Sequence, residues 1–174
     1  MKKALVALTV ILALLSYTLY TQQKTLRSPQ KEFRAAVGYY APDFTLMDAS
    51  GHALRLSSIK KPVLLSFWTS WCGPCHIETP QLIRLYKAYQ GKFEIVAVNV
   101  TLNDKKQNAR TFADFFGVPY PVVFDEKGDV TELYHVQGYP TNVFIDEHGK
   151  ITRIETGVLP PKELETVIRT LVTP

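Results

Sequence analysis

The stretch PVLLSFWTSWCGPC, residues 62–75, decides the fold. Its first half, Pro62 to Trp68, is apolar except for Ser66, the pattern of a central strand covered on both faces. Beyond it, Leu82, Leu85, Tyr86 and Tyr89 recur at i, i+3, i+4 and i+7, which is one face of a helix that stops at Gly91. Both cysteines of the chain, in Trp71-Cys72-Gly73-Pro74-Cys75, therefore lie between a strand and a helix N-terminus. There, free backbone N–H groups and the positive end of the helix dipole stabilise an anion. They favour the thiolate of Cys72, which is the reactive form of a thiol. Gly73 allows close backbone approach, and Pro74 suits a first helical turn because its missing N–H would be unpaired there. Cys75 lies three residues on, near enough to close a disulfide. One exposed, activated sulfur and one shielded partner are what thiol–disulfide exchange requires: Cys72 attacks and Cys75 resolves the mixed disulfide.

Other readings of the pair have less behind them. A structural disulfide closing so short a loop constrains little of the unfolded chain. A zinc site needs two more ligands, and His52, His76, His135 and His148 are scattered. A module binding a soft cation such as Cu(I) through both thiolates lacks further ligands, since Met1 and Met47 are the only methionines. No cofactor beyond the Cys72–Cys75 couple is expected.

Working outward, Phe44 and Leu46, then Ala53, Leu54 and Leu56, flank Asp48-Ala49-Ser50-Gly51 as a hairpin. Ile95 to Val100 reads as a second buried strand, and Ala109, Phe112, Ala113 and Phe116 repeat the helical spacing up to Gly117. Val122-Val123-Phe124 is a short strand, followed by a short helix around Val130–Tyr134. Asn142 to Asp146 and Lys150 to Thr156 pair across a turn, and Pro161 opens a last helix with Leu164, Val167, Ile168 and Leu171 on one face. The expected class is α/β: a central mixed sheet flanked by helices, with an N-terminal hairpin and an inserted helix.

The N-terminus differs. Ala4 to Gln23 carries no charge, and Ala4 to Tyr20 is apolar on every face, a length near the lower limit for spanning a bilayer. Tyr17 and Tyr20 cluster at its far end, as rings do at a membrane interface. Ser16-Tyr17-Thr18 is a poor cleavage site, so residues 1–23 read as an uncleaved transmembrane signal anchor, with a cleaved and secreted form as the alternative. Residues 24–41 read as a tether, and the domain is expected over 42–174. The expected location is the cell membrane, single-pass, with the domain outside the cytoplasm. The net charge of +4 comes from 20 Lys and Arg against 16 Asp and Glu. Six of those basic residues and only one acid fall in residues 1–34, leaving 14 basic and 15 acidic groups in the rest. No electrostatic case for a nucleic-acid partner survives.

With these motifs in place, the chain resembles the thioredoxin superfamily, and within it the membrane-anchored, extracytoplasmic thiol–disulfide oxidoreductases of the TlpA/ResA type. The likeness covers about residues 41–173. It rests on Ala41-Pro42-Asp43-Phe44-Thr45-Leu46, on Phe67 to Cys75, on Glu78 with Pro80, on Glu94 to Val100, on Gly138-Tyr139-Pro140-Thr141, and on the inserted helix read at 105–116. The resemblance implies a thioredoxin-like fold and a cis peptide before Pro140, which faces the cysteine pair. It also implies a substrate-binding surface formed by Trp71, Gly73, Pro74, Tyr139 and Pro140. Without the resemblance, Pro140 reads as a strand-initiating turn proline. Glu78 shares the helix face of Cys75, and related reductases have a glutamate there; it is either a semi-buried proton relay or an exposed acid favoured by the helix dipole. Ser66 stands where cytoplasmic thioredoxins have a buried aspartate, Pro80 should kink the helix, and His76 should face solvent.

The implied partners are protein thiols and disulfides, the haem-ligating cysteines of apocytochrome c among them, and a membrane electron donor of thiol type. Gly73-Pro74 departs from the Glu-Pro common in apocytochrome c reductases of this branch, which leaves a general envelope or sporulation-related role open. Pro42-Asp43-Phe44 and Thr69 echo thiol peroxidases, but Leu65 stands where that motif has proline.

Overall fold

The computed structural model describes residues 2–26 and 31–173. Helix α1 (Lys2–Leu26) belongs to a unit that ends at Glu32; the second unit begins at Phe33. Among the described residues, which leave out the side chains of Ala4, Leu5, Ala7 and residues 22–26, no helix is long and apolar enough to cross a membrane. Part of the expected tether, residues 27–30, also lies outside the described residues.

In the second unit, strands and helices follow the periodicities closely. They run β1 (Thr45–Asp48), β2 (Ala53–Arg55), β3 (Val63–Trp68), α2 (Gly73–Ala88), β4 (Glu94–Asn99), α3 (Lys106–Phe116), β5 (Val122–Phe124), α4 (Asp129–Leu133), β6 (Thr141–Ile145), β7 (Ile151–Thr156) and α5 (Pro161–Val172). One sheet of seven strands takes the order β2-β1-β5-β4-β3-β6-β7. The pairs β3–β4 and β4–β5 are parallel, and the rest are antiparallel. This is the expected mixed sheet flanked by helices, with the hairpin at one edge.

Alternation along β3 explains why its apolar run is nearly continuous. Leu64 and Trp68 belong to the core shared with Leu82 and Leu85 of α2, Phe112 of α3, and Leu164 and Ile168 of α5. Val63, Leu65 and Phe67 belong to the opposite core, with Phe44, Val130 and Tyr134. Both faces are dry, so both must be apolar.

The domain boundary differs from the expectation. Residues 33–41 are not a free tether: Gly38 N–H donates to Ile151 O at 2.8 Å, Ile151 N–H to Tyr39 O at 2.9 Å, and Ala41 N–H to Gly149 O at 2.9 Å. They satisfy backbone groups along β7 and its turn, a role set by long-range pairing that a period search cannot register. Helix α2 includes Pro80 within its span, and Thr79 Oγ1 donates to the Cys75 carbonyl at 2.8 Å within it.

Candidate active site

Cys72 caps the N-terminus of α2, and its sulfur accepts from the Cys75 N–H at 3.2 Å. Cys72 and Cys75 are disulfide-bonded, with Cα atoms 5.3 Å apart. The first turn of α2 holds no acidic residue, so nothing there opposes a thiolate. Register brings the second loop to the same place. β6 runs antiparallel to β3 with Thr141 opposite Phe67, which sets the preceding Tyr139-Pro140 at the end of β3 from which the cysteine loop departs. The Tyr139–Pro140 peptide is cis, as the resemblance implies. Pro140 and Cys75 line one small cavity with Ser66, Trp68 and Glu78, and the Trp71 and Tyr139 rings meet edge-on at 6.0 Å.

One expectation needs correction. Cys72 is 4% exposed and Cys75 2%, so in the disulfide form neither sulfur stands open. The bond and the N–H···S contact draw the Cys72 sulfur toward its own helix. Gly73, Pro74 and Trp71 remain exposed around it. A Cβ placed on Gly73 would meet nothing within 4 Å, so the space over the loop is free for an incoming chain.

Glu78 is buried, which removes the exposed-acid reading. Burial pushes its carboxyl up from 4.5 to about 7, and the hydrogen bond from Asn142 Nδ2 to its Oε1, at 2.7 Å, offsets part of the rise. Asn142 escaped the sequence reading, although a lone amide in the buried strand TNVFI is itself a signal, since a buried polar group demands a partner.

Asp104 escaped it too, and no local pattern could have revealed it. Its carboxylate accepts from Ser70 N at 2.6 Å, Ser70 Oγ at 2.7 Å, Asn99 Nδ2 at 2.9 Å and Lys105 N at 2.7 Å. Partial burial raises its carboxyl, but these hydrogen bonds outweigh that and hold it below the usual range. Asp104 thus ties the residue just before Trp71 to the end of β4. The bracing continues at Trp71, whose Nε1–H donates to Asn103 O at 2.8 Å, while Asn103 Nδ2 donates to Tyr139 OH at 3.0 Å. Asp104→Ala strands these donors, and equilibrium unfolding in urea is expected to show a loss of about 3 kcal/mol with an unchanged slope.

His76 is exposed, as expected, yet engaged: its Nε2 lies 2.9 Å from Ser70 O and its ring packs edge-on against Phe112 at 4.7 Å. Leu65, the position at which a peroxidase motif needs proline, is fully buried in β3 between Val96 and Val143. Among the described residues, no group of three or more His, Cys, Asp or Glu is placed to hold a metal ion.

A disulfide at a helix N-terminus beside a cis-proline, on a sheet of this order, defines a thioredoxin-like thiol–disulfide oxidoreductase. The chain belongs to the AhpC/TSA family, whose profile matches residues 37–154. It is 39% identical over 160 residues to thiol-disulfide oxidoreductase ResA of Geobacillus kaustophilus, covering 91% of this chain and 88% of that one. It is 38% identical over 167 residues to thioredoxin-like protein YneN of Bacillus subtilis, covering 95% and 96%. Among solved structures, a Chlorobium tepidum protein assigned as a thiol:disulfide interchange protein, DsbE, superposes with a TM-score of 0.74 at 35% identity, over 79% of this chain and 99% of that one.

Proposed function

We propose that the protein is a membrane-anchored reductant of protein disulfides outside the cytoplasm, with the haem-ligating cysteines of apocytochrome c as substrate. The observation that carries the exchange chemistry is the Cys72–Cys75 disulfide at the N-cap of α2, beside Pro140. In the reduced protein, the Cys72 thiolate attacks one sulfur of a substrate disulfide, forming a mixed disulfide and releasing the other substrate sulfur as thiolate. Cys75 then gives up its proton and attacks the Cys72 sulfur; the ring disulfide re-forms and the second substrate thiolate leaves. Two electrons have passed to the substrate, and a dithiol donor at the membrane returns them. Glu78, on the helix face of Cys75 and with a carboxyl that titrates at about 7, accepts or returns the Cys75 proton. Trp71, Gly73, Pro74, Tyr139 and Pro140 form the surface that receives the substrate chain.

The anchor reading is supported by α1, in which Val6, Leu8, Ile11, Leu12, Leu15 and Leu19 are each more than half exposed, an arrangement suited to lipid. The uncharged run from Ala4 to Gln23 supports it as well.

Cys75→Ala, expressed in the native cell, tests both substrate and nucleophile. Without a resolving thiol, the mixed disulfide on Cys72 accumulates and its partner is identified by mass spectrometry. Apocytochrome c in the adduct is the expected result. Adducts with other envelope proteins and none with a cytochrome apoprotein would replace this substrate with a broader envelope role, which Gly73-Pro74 also fits.

A further inference from the structure

The surface beside the disulfide continues past Trp71 onto α3. Ser70, Trp71, His76, Asn108, Thr111, Phe112 and Phe115 border an open groove of about 580 Å³. Phe115 is 80% exposed and Trp71 63%, a large apolar area to leave in water. The groove is also firm. Phe115 lies 5.0 Å from Phe116, Phe116 lies 4.8 Å from Phe112, and Phe112 stacks 4.5 Å from Trp68 in the core. The Trp71 wall is fixed by its bond to Asn103 O, and the His76 wall by Ser70 O. None of the bordering side chains is a carboxylate, an ammonium or a guanidinium, and the rings of Trp71, Phe112 and Phe115 supply its apolar surface between the polar Ser70, His76, Asn108 and Thr111, so the chemistry that fits is an uncharged side chain with an apolar body.

We propose that this groove receives an aromatic or large aliphatic side chain of the substrate polypeptide, next to the cysteine that bonds to Cys72. The inference rests on the exchange reading above and adds a substrate preference to it. Trp71 is the immediate neighbour of Cys72 and walls the groove, so a chain held on that sulfur has its adjacent side chain within reach. The same continuity argues against a permanent occupant. Anything seated there for good would crowd Trp71 and the exposed Gly73-Pro74 edge over which every substrate must come.

The test uses the full chain in detergent and a set of two-cysteine disulfide peptides, identical except for Phe, Leu, Ala or Asp beside one cysteine. The wild-type protein should favour the Phe and Leu peptides over the Ala peptide by about tenfold in kcat/KM, mainly through KM. In Phe115→Ser that ratio should fall to about twofold; because it is taken within one variant, partial misfolding cancels. Equal rates for all four peptides with the wild-type protein, or a ratio unchanged by Phe115→Ser, would overturn the proposal. Hydroxyethyl disulfide, which has no side chain to place, separates the two levels. Turnover of it by the wild-type protein without any peptide preference removes the groove and leaves the exchange reading; no turnover of any disulfide removes the reading itself. A dimer in sedimentation that Phe115→Ser dissociates would assign the groove to a second copy and likewise overturn the proposal.

Discussion

Cys72→Ser abolishes catalysed reduction of insulin disulfides, with a loss of about a thousandfold or more in rate. A hydroxyl cannot replace the thiolate as attacking group, and no other sulfur stands in its place. Cys75 does not take over, because it lies inside the first turn of α2 and lines the cavity formed with Pro140 and Glu78, whereas Cys72 sits at the N-cap of that helix and does not line that cavity. The two cysteines therefore fail differently. Cys72→Ser forms no adduct with a disulfide substrate, whereas Cys75→Ala loses turnover but holds one equivalent of substrate on Cys72. Non-reducing mass spectrometry of both variants after one pass of substrate reads the difference directly. Activity in Cys72→Ser above about a tenth of wild type, or an adduct mapped to Cys75, would assign the roles the other way round.

The second large effect is on stability, and its direction follows from Glu78. The carboxyl ionises near 4.5 in the unfolded chain and at about 7 in the folded one, because its surroundings have too few partners for a charge. Between those values the native state binds more protons than the unfolded state, so stability falls as pH rises and the loss is complete above about 7. A shift of this size corresponds to about 3 kcal/mol between pH 4 and pH 8.5. Glu78→Gln keeps an oxygen for Asn142 Nδ2 and removes the charge. The variant should match wild type at pH 4–5 and exceed it by up to about 3 kcal/mol at pH 8.5, which is roughly 6–12 °C in Tm. A Tm difference that does not grow with pH would show that Glu78 is not the group responsible. The same variant should slow resolution of the mixed disulfide, since Cys75 then loses its neighbouring proton acceptor.

The legible parts of the fold were those with a local period. Leu82, Leu85 and Tyr86 announce α2, Ala109, Phe112 and Phe116 announce α3, and the unbroken apolar runs of β3 and β4 announce strands buried on both faces. Cys72 and Cys75 were legible because their chemistry depends on a strand before and a helix after, both of which the pattern supplies. What escaped depends on groups far apart in the chain. Asp104 meets Ser70 only because β4 pairs with β3, and Asn142 meets Glu78 only because β6 lies on the other side of that strand. The packing of residues 33–41 along β7 is of the same kind. The closed Cys72 sulfur also needed coordinates, since sequence position alone cannot say how a disulfide turns its sulfurs.

Once reduced, Cys72 should be an accessible thiolate stabilised by the start of α2. The direct measurement is alkylation of the reduced full chain with iodoacetamide as a function of pH, with the modified residue mapped by mass spectrometry. At pH 6, where an ordinary thiol is almost wholly protonated, rapid modification of Cys72 and none of Cys75 is expected. Two thiols that stay unreactive until about pH 8, or a first modification at Cys75, would contradict it.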